Sequence, residues 1–259
     1  MLNAQSFAYI PLLALHSAIT FAATAIPVDS PKGSPRELST FTLLYEVENP
    51  QLTLVAILGG EGRIGIVGST KDTRTQTALM AKNLARKDFA KLRTNVVIFD
   101  SPVELFPVRV REEDEHLNRV ESVVKFYREK FNVPVWLLGH SNGSISVTEY
   151  LARKQSGTPV AGAILSGSRY RLTLKEDLNL PLLFLHHEND ECRESPFSYA
   201  KLNFETAKRL NKAYTDLAAV KGGESHGDPC RDGTHMYYGA HEEAAKQLAD
   251  FLEKVIHHK

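Results

Sequence analysis

Residues 139–143 read Gly-His-Ser-Asn-Gly, a serine with a glycine two positions to either side. The apolar run Val135-Trp136-Leu137-Leu138, of strand type, leads directly into them, and a helical pattern from about Gly143 to Lys154 leads out. A serine on such a strand-to-helix bend is held in a strained conformation that lifts its hydroxyl above the sheet, and the glycines leave room for the bend. A hydroxyl is a poor nucleophile until an imidazole takes its proton. The imidazole in turn needs a carboxylate to hold its tautomer and stabilise its charged form. The chemistry implied is acyl transfer through Ser141, and the rest of the chain should supply an acid and then a base, each just past a strand.

The strand-like run from Pro181 ends in His187-Glu188-Asn189-Asp190. Asp190 is the expected acid, with Glu188 and Glu191 read as surface charges. His226 and His235 are the two candidate bases, both between the last strand and the last helix. His235 is preferred because that helix fixes its end of the loop, whereas Gly222, Gly223 and Gly227 surround His226. His140, His186, His187, His241, His257 and His258 are read as packing, surface or tail residues. The developing oxyanion needs two backbone N–H donors: Asn142 is one, and Gly60 or Glu61 in Leu58-Gly59-Gly60-Glu61-Gly62 is the other. As a phosphate cradle that glycine-rich loop lacks both the G-x-G-x-x-G and the G-x-x-x-x-G-K-[ST] forms. Cys192 follows Asp190 by two positions and Cys230 precedes His235 by five, so a disulfide would tie the acid loop to the base loop; two unpaired thiols are the alternative. No C-x-x-C or H-E-x-x-H spacing calls for zinc, and no cofactor is implied.

Positioning these groups requires a sheet with helices around it. From about Leu38 the chain alternates short apolar runs with amphipathic stretches, the pattern of a doubly wound, mostly parallel α/β sheet, whose ligands bind beyond the carboxyl ends of the strands. Strands are expected at Ser39–Glu48 and Leu52–Leu58, paired as an edge hairpin through Asn49-Pro50, and at Val96–Phe99, Val135–Leu138, Ala161–Leu165, Leu182–His186 and Ala213–Val220. Helices are expected at Thr75–Leu92, at Arg111–Phe131 with Leu117, Val120, Val124 and Tyr127 inward, and at Glu242–Ile256. The charge run from Arg111 to Glu115 reads as a solvated helix start.

The chain has 259 residues, 42% of them hydrophobic and 24% charged, enough for one large core. Lys plus Arg and Asp plus Glu each total 31, so the formal net charge is zero and neither nucleic acid nor an acidic lipid surface is an expected partner. Phe7 to Ala25 is apolar, without charged residues, and ends in Ala23-Thr24-Ala25. Residues 1–25 therefore read as a signal peptide cleaved before Ile26, with 26–259 as the mature domain in the periplasm or outside the cell; the lack of a basic start leaves an uncleaved membrane anchor or a misassigned start as alternatives. No later segment has the roughly 20 apolar residues of a membrane span, so no stable span is expected after cleavage.

On these residues the chain resembles the α/β-hydrolase superfamily across essentially the whole mature length. Leu58 to Gly62 looks like its oxyanion loop, Gly139 to Gly143 its nucleophile elbow, His187 to Asp190 its acid turn and Thr234-His235 its histidine loop, in the chain order Ser, Asp, His. Within the superfamily it is most similar to small exported bacterial serine hydrolases. It departs from the lipase and esterase pattern in carrying Leu58 where many have histidine. The resemblance implies hydrolysis of a small-molecule ester through an acyl-enzyme, with peptide or amide cleavage, or a non-catalytic binding role on the same fold, as alternatives. Only the stretch from Arg169 to Leu180 is available for a cap, so the site should be open. Glu61, Arg63 and Arg169 are candidate rim charges.

Overall fold

The computed structural model describes residues 23–31, 38–65, 92–157, 159–170 and 172–257. Five strands, β3 (Leu52–Ile57), β4 (Thr94–Asp100), β5 (Val135–His140), β6 (Gly162–Ser166) and β7 (Leu182–His187), are buried at every position. Near-continuous apolar runs of this kind belong in the middle of a parallel sheet covered on both faces. β1 (Thr24–Val28), β2 (Thr40–Tyr45) and β8 (Thr215–Val220) are less buried and lie toward the edges. The order is β1-β2-β4-β3-β5-β6-β7-β8, with β1, β2 and β4 antiparallel in sequence and every other pair parallel.

This order corrects the expected edge hairpin. β2 does not pair with β3; β4 lies between them, and the edge is β1, a strand not anticipated from the sequence. The fully apolar β3 requires a neighbour on each side, which β4 and β5 supply, whereas the alternating exposure of β2 suits a place near the rim. The chain thus runs outward from β3 to β4 and then crosses back to β5. β3 and β5 flank the switch point, and the loops that follow them open into the same crevice.

α1 (Asp114–Phe131), α2 (Gly143–Arg153) and α3 (Phe197–Leu210) follow β4, β5 and β7, and α4 (His241–His257) closes the chain. α3 was not anticipated from the sequence. Side-chain alternation splits the core along β5: Val135 and Leu137 join Leu117, Val120 and Val124 of α1 and Val147 and Leu151 of α2, while Trp136 and Leu138 join Ala244, Leu248 and Leu252 of α4. The expected helix over Thr75–Leu92 lies outside the described residues except for Leu92. The expected start at Arg111 also moves: Val108–Glu112 forms a 3-10 turn, Glu113 is extended at the cap of α1, and Arg111 is fully buried rather than solvated.

A buried polar contact helps tie the edge to α1. Thr42 Oγ1 donates to Ile26 O (3.0 Å), so it accepts from the Tyr127 hydroxyl of α1 at 2.5 Å. Tyr127→Phe removes the donor while leaving Thr42 satisfied; a urea midpoint corresponding to a loss of about 1 kcal/mol is expected.

Candidate active site

Ser141 sits directly after β5 with φ 54, a left-handed conformation that costs a non-glycine residue about 1–2 kcal/mol. The bend is over-determined by its neighbours. Ser141 N–H donates to Ser166 O (2.9 Å), and its carbonyl accepts from Ser144 N (3.0 Å) and Ser144 Oγ (2.6 Å). α2 passes so close to β3 that a Cβ on Gly143 would stand 2.0 Å from Ile57 O. A Cβ on Gly59 would stand 2.7 Å from that of Ser141, so the loop after β3 runs against the serine. Among the described residues Ser141 Oγ has no hydrogen-bond partner, and the backbone N–H groups of Gly60, Glu61 and Asn142 have no acceptor.

Asp190 and His235 meet at the same edge of the sheet. His235 Nδ1–H donates to Asp190 Oδ2 at 2.8 Å, both side chains being almost wholly buried. With Nδ1 protonated, the neutral ring keeps its lone pair on Nε2. The ring lies beside the elbow: a Cβ on Gly167, one residue past the carbonyl that holds Ser141, would stand 3.0 Å from His235 Cε1. His226 is elsewhere, exposed and paired with Glu224 at 2.9 Å, and its ring contacts Tyr238. Glu188 pairs with Lys221 (3.6 Å), and Glu191 is exposed.

Two of the histidines expected to be ordinary packing residues belong to this cluster. His186 Nε2–H is shared between Ser195 O (2.7 Å) and Asp190 Oδ2 (2.9 Å). Ser195 Oγ also reaches Asp190 Oδ2 (3.3 Å) and His235 Nδ1 (2.9 Å), and Asp190 Oδ1 accepts from Cys192 N–H (2.8 Å). Burial pushes the Asp190 carboxyl up, but the hydrogen bonds and charges of His186 and His235 outweigh it and hold the group well below the usual carboxylate range. The His140 ring packs against that of His235, tilted by 42° with centroids 4.9 Å apart, and bonds through Nδ1 to Ser166 Oγ (3.0 Å), which meets the Tyr237 hydroxyl at 2.8 Å. Burial and then the His235 charge pull its pKa well down. A histidine four residues before the acid was a signal available in the sequence; Ser195, in a loop, had none.

Cys192 and Cys230 form a disulfide across 38 positions, and Thr234 Oγ1 donates to Asn189 O (2.6 Å), so the acid and histidine loops are joined twice. Of the rim charges, Arg63 pairs with Glu104 (3.8 Å) and Arg169 with Glu194 (2.9 Å). Among the described residues no cluster of His, Cys, Asp and Glu is arranged to hold a metal ion.

No family model and no curated protein matches the chain. Solved structures do. A dienelactone hydrolase from Anabaena variabilis superposes with a TM-score of 0.62 at 12% identity, over 90% of this chain and 98% of its own. An α/β serine hydrolase without lid from Xanthomonas campestris gives 0.56 at 13%, over 90% and 94%. The acylaminoacyl peptidase of Pyrococcus horikoshii gives 0.59 at 15%, over 92% of this chain and 42% of its own. At these identities the likeness is one of architecture: the chain has the α/β-hydrolase fold.

Two expectations follow. His116, buried on α1, has its pKa lowered to about 3 by burial and by the charges of Arg111 and Arg119; it and His140 refuse protons that an unfolded chain accepts near pH 6.5. Asp190 releases its proton more readily than an unfolded carboxyl. The unfolded chain therefore binds more protons, so stability is full above about pH 6.5, falls through the histidines as the pH drops toward 3, and falls further below about pH 4 through Asp190. Unfolding free energies from urea curves should decline for each histidine by about 0.7 kcal/mol from pH 7 to 6 and about 1.2 kcal/mol from pH 6 to 5, and His116→Gln should remove one of the two contributions. Replacing Cys192 and Cys230 by serine should lower stability by about 2–4 kcal/mol, and the native chain should be two hydrogens lighter than its reduced form by mass spectrometry.

Proposed function

We propose that this chain of α/β-hydrolase fold is a serine hydrolase that cleaves carboxylic esters, with Ser141 as nucleophile, His235 as base and Asp190 as acid. The observation that carries the reading is the 2.8 Å bond from His235 Nδ1 to the buried Asp190 carboxylate, at the sheet edge where Ser141 is bent into the left-handed region. His235 Nε2 takes the Ser141 proton as Oγ attacks the carbonyl carbon. Charge on the carbonyl oxygen is met by the N–H of Asn142 and of Gly60 or Glu61. The imidazolium then protonates the departing alcohol, leaving an acyl-serine. Water attacks that ester with the same imidazole as base, and the acid product leaves with Ser141 restored.

Esters of modest size are favoured because no helix or strand covers the site from 167–181 among the described residues, and one structural neighbour is a serine hydrolase without a lid. Amide cleavage is a second reading, supported by the likeness to an acylaminoacyl peptidase. Export of residues 26–259 to the periplasm or beyond is part of the proposal. It is supported by the disulfide, which belongs to oxidising compartments, and by the apolar leader; cleavage after Ala25 would leave Ile26 to Val28 of β1 paired with β2. No helix among the described residues is long and apolar enough to cross a membrane.

A fluorophosphonate probe should label the wild-type chain and not Ser141→Ala, and His235→Ala should lower ester turnover by at least about 1,000-fold. Absence of a Ser141-dependent adduct would favour a non-catalytic binding role. Rates on an ester and an anilide of one acyl group then separate the two enzymatic readings.

A further inference from the structure

Arg111 is fully buried, yet no carboxylate among the described residues pairs with it. Its Nη2 donates to three successive carbonyls, Leu58 O (3.1 Å), Gly59 O (3.3 Å) and Gly60 O (3.0 Å), and its Nη1 to Ser146 Oγ on α2 (3.0 Å). Nε has no partner. Burying a guanidinium without a counter-ion is expensive, and an aliphatic side chain would fill the space without that penalty. The target of the charge is therefore informative.

The three carbonyls belong to the peptide units whose N–H groups are those of Gly59, Gly60 and Glu61. Carbonyl and N–H of one peptide share a delocalised bond, so a cation on the oxygen makes the N–H a stronger donor. With the carbonyls gathered at Arg111, the Gly60 and Glu61 N–H groups have no acceptor among the described residues, and the same loop runs against Ser141 at Gly59. The Nη1 contact fixes this loop against α2, whose first turn follows the Asn142 N–H. The loop is tied from a second direction as well, because Ser101 N donates to Gly62 O (3.0 Å) and Leu105 N to Glu61 O (2.8 Å).

We propose that Arg111 is a positioning residue for the oxyanion site: its guanidinium orients and polarises the Gly60 and Glu61 amides and sets their distance from the Asn142 amide, without touching substrate. Burial lowers its pKa to about 9, so it remains a cation at neutral pH. The inference rests on the hydrolase reading above and extends it to a residue on a segment remote from Ser141, Asp190 and His235 in the sequence.

Arg111→Gln and Arg111→Lys test it, with turnover expressed per active site counted by end-point fluorophosphonate labelling, so that misfolded molecules are excluded. Arg111→Gln is expected to lower kcat about 100-fold with KM changed less than about threefold, and to weaken an aryl boronic acid, which forms a tetrahedral anion on Ser141, by a similar factor. Arg111→Lys, which keeps the charge but loses the fork, should fall between it and the wild type. A kcat within threefold of wild type in labelled Arg111→Gln would overturn the proposal, as would a loss of kcat with unchanged boronate affinity. Should Arg111→Gln yield no folded protein, Arg111→Lys is judged by the same criteria. In the wild-type chain the amide protons of Gly60 or Glu61 should move downfield when the boronate binds, and no movement in either would also overturn it. A wild type without Ser141-dependent labelling removes the hydrolase reading itself, whereas a labelled, active wild type with unaffected Arg111 variants removes only the role of Arg111.

Discussion

An ionised carboxylate in a protein interior is tolerated only where hydrogen bonds replace the water it has lost, and at Asp190 four groups do so: His235 Nδ1, His186 Nε2, the Ser195 hydroxyl and the Cys192 amide. These donors come from β7, from the loop after it and from the loop before α4. The charge therefore stays stable only if those segments converge. The disulfide and the Thr234 contact to Asn189 hold them together, and the Nδ1 bond to Asp190 fixes one side of the His235 ring. His186 is part of that balance. Without it Oδ2 would keep two donors, and burial would press the carboxyl toward its neutral form, which is no partner for an imidazolium.

On the other side of the crevice the constraint is steric. β3 and β5 run side by side, and α2 must leave β5 at once without colliding with β3, which the contact between Gly143 and Ile57 O barely permits. The loop after β3 then has three carbonyls gathered by a buried cation and, among the described residues, its Gly60 and Glu61 amides left without partners. One half of the crevice is thus organised around an anion, Asp190, and the other around a cation, Arg111. Proton transfer and charge stabilisation are the two tasks the proposed reaction would assign to those halves.

Much of the site was legible because its parts are local. A serine between spaced glycines, after an apolar strand and before a helix, carries its own geometric reason. An acid beyond β7 and a histidine before α4 follow from the chain order that such a serine demands. The five inner strands were legible because burial on both faces leaves an unbroken apolar signature. The pairing of β2 with β3 was misread, since a turn such as Asn49-Pro50 reports only that the chain reverses and not which strand lies beside it. Arg111 was misread as well, as one charge in a run whose other members are in fact at the surface or nearly so.

By itself, then, the amino-acid order determined the strand-and-helix alternation, the bend at Ser141 and which residues are proposed as acid and base, because each depends on residues within a few positions of one another. Only the tertiary structure decided that β4 separates β2 from β3, that Ser195 and His140 join the Asp190–His235 pair, and that Arg111 sits beneath the glycine loop. These are outcomes of contacts between segments 26 to 53 positions apart in the bonds of Arg111 to Leu58, His140 to Ser166 and His235 to Asp190, where burial and hydrogen-bond satisfaction are balanced over the whole molecule and no local pattern records the result.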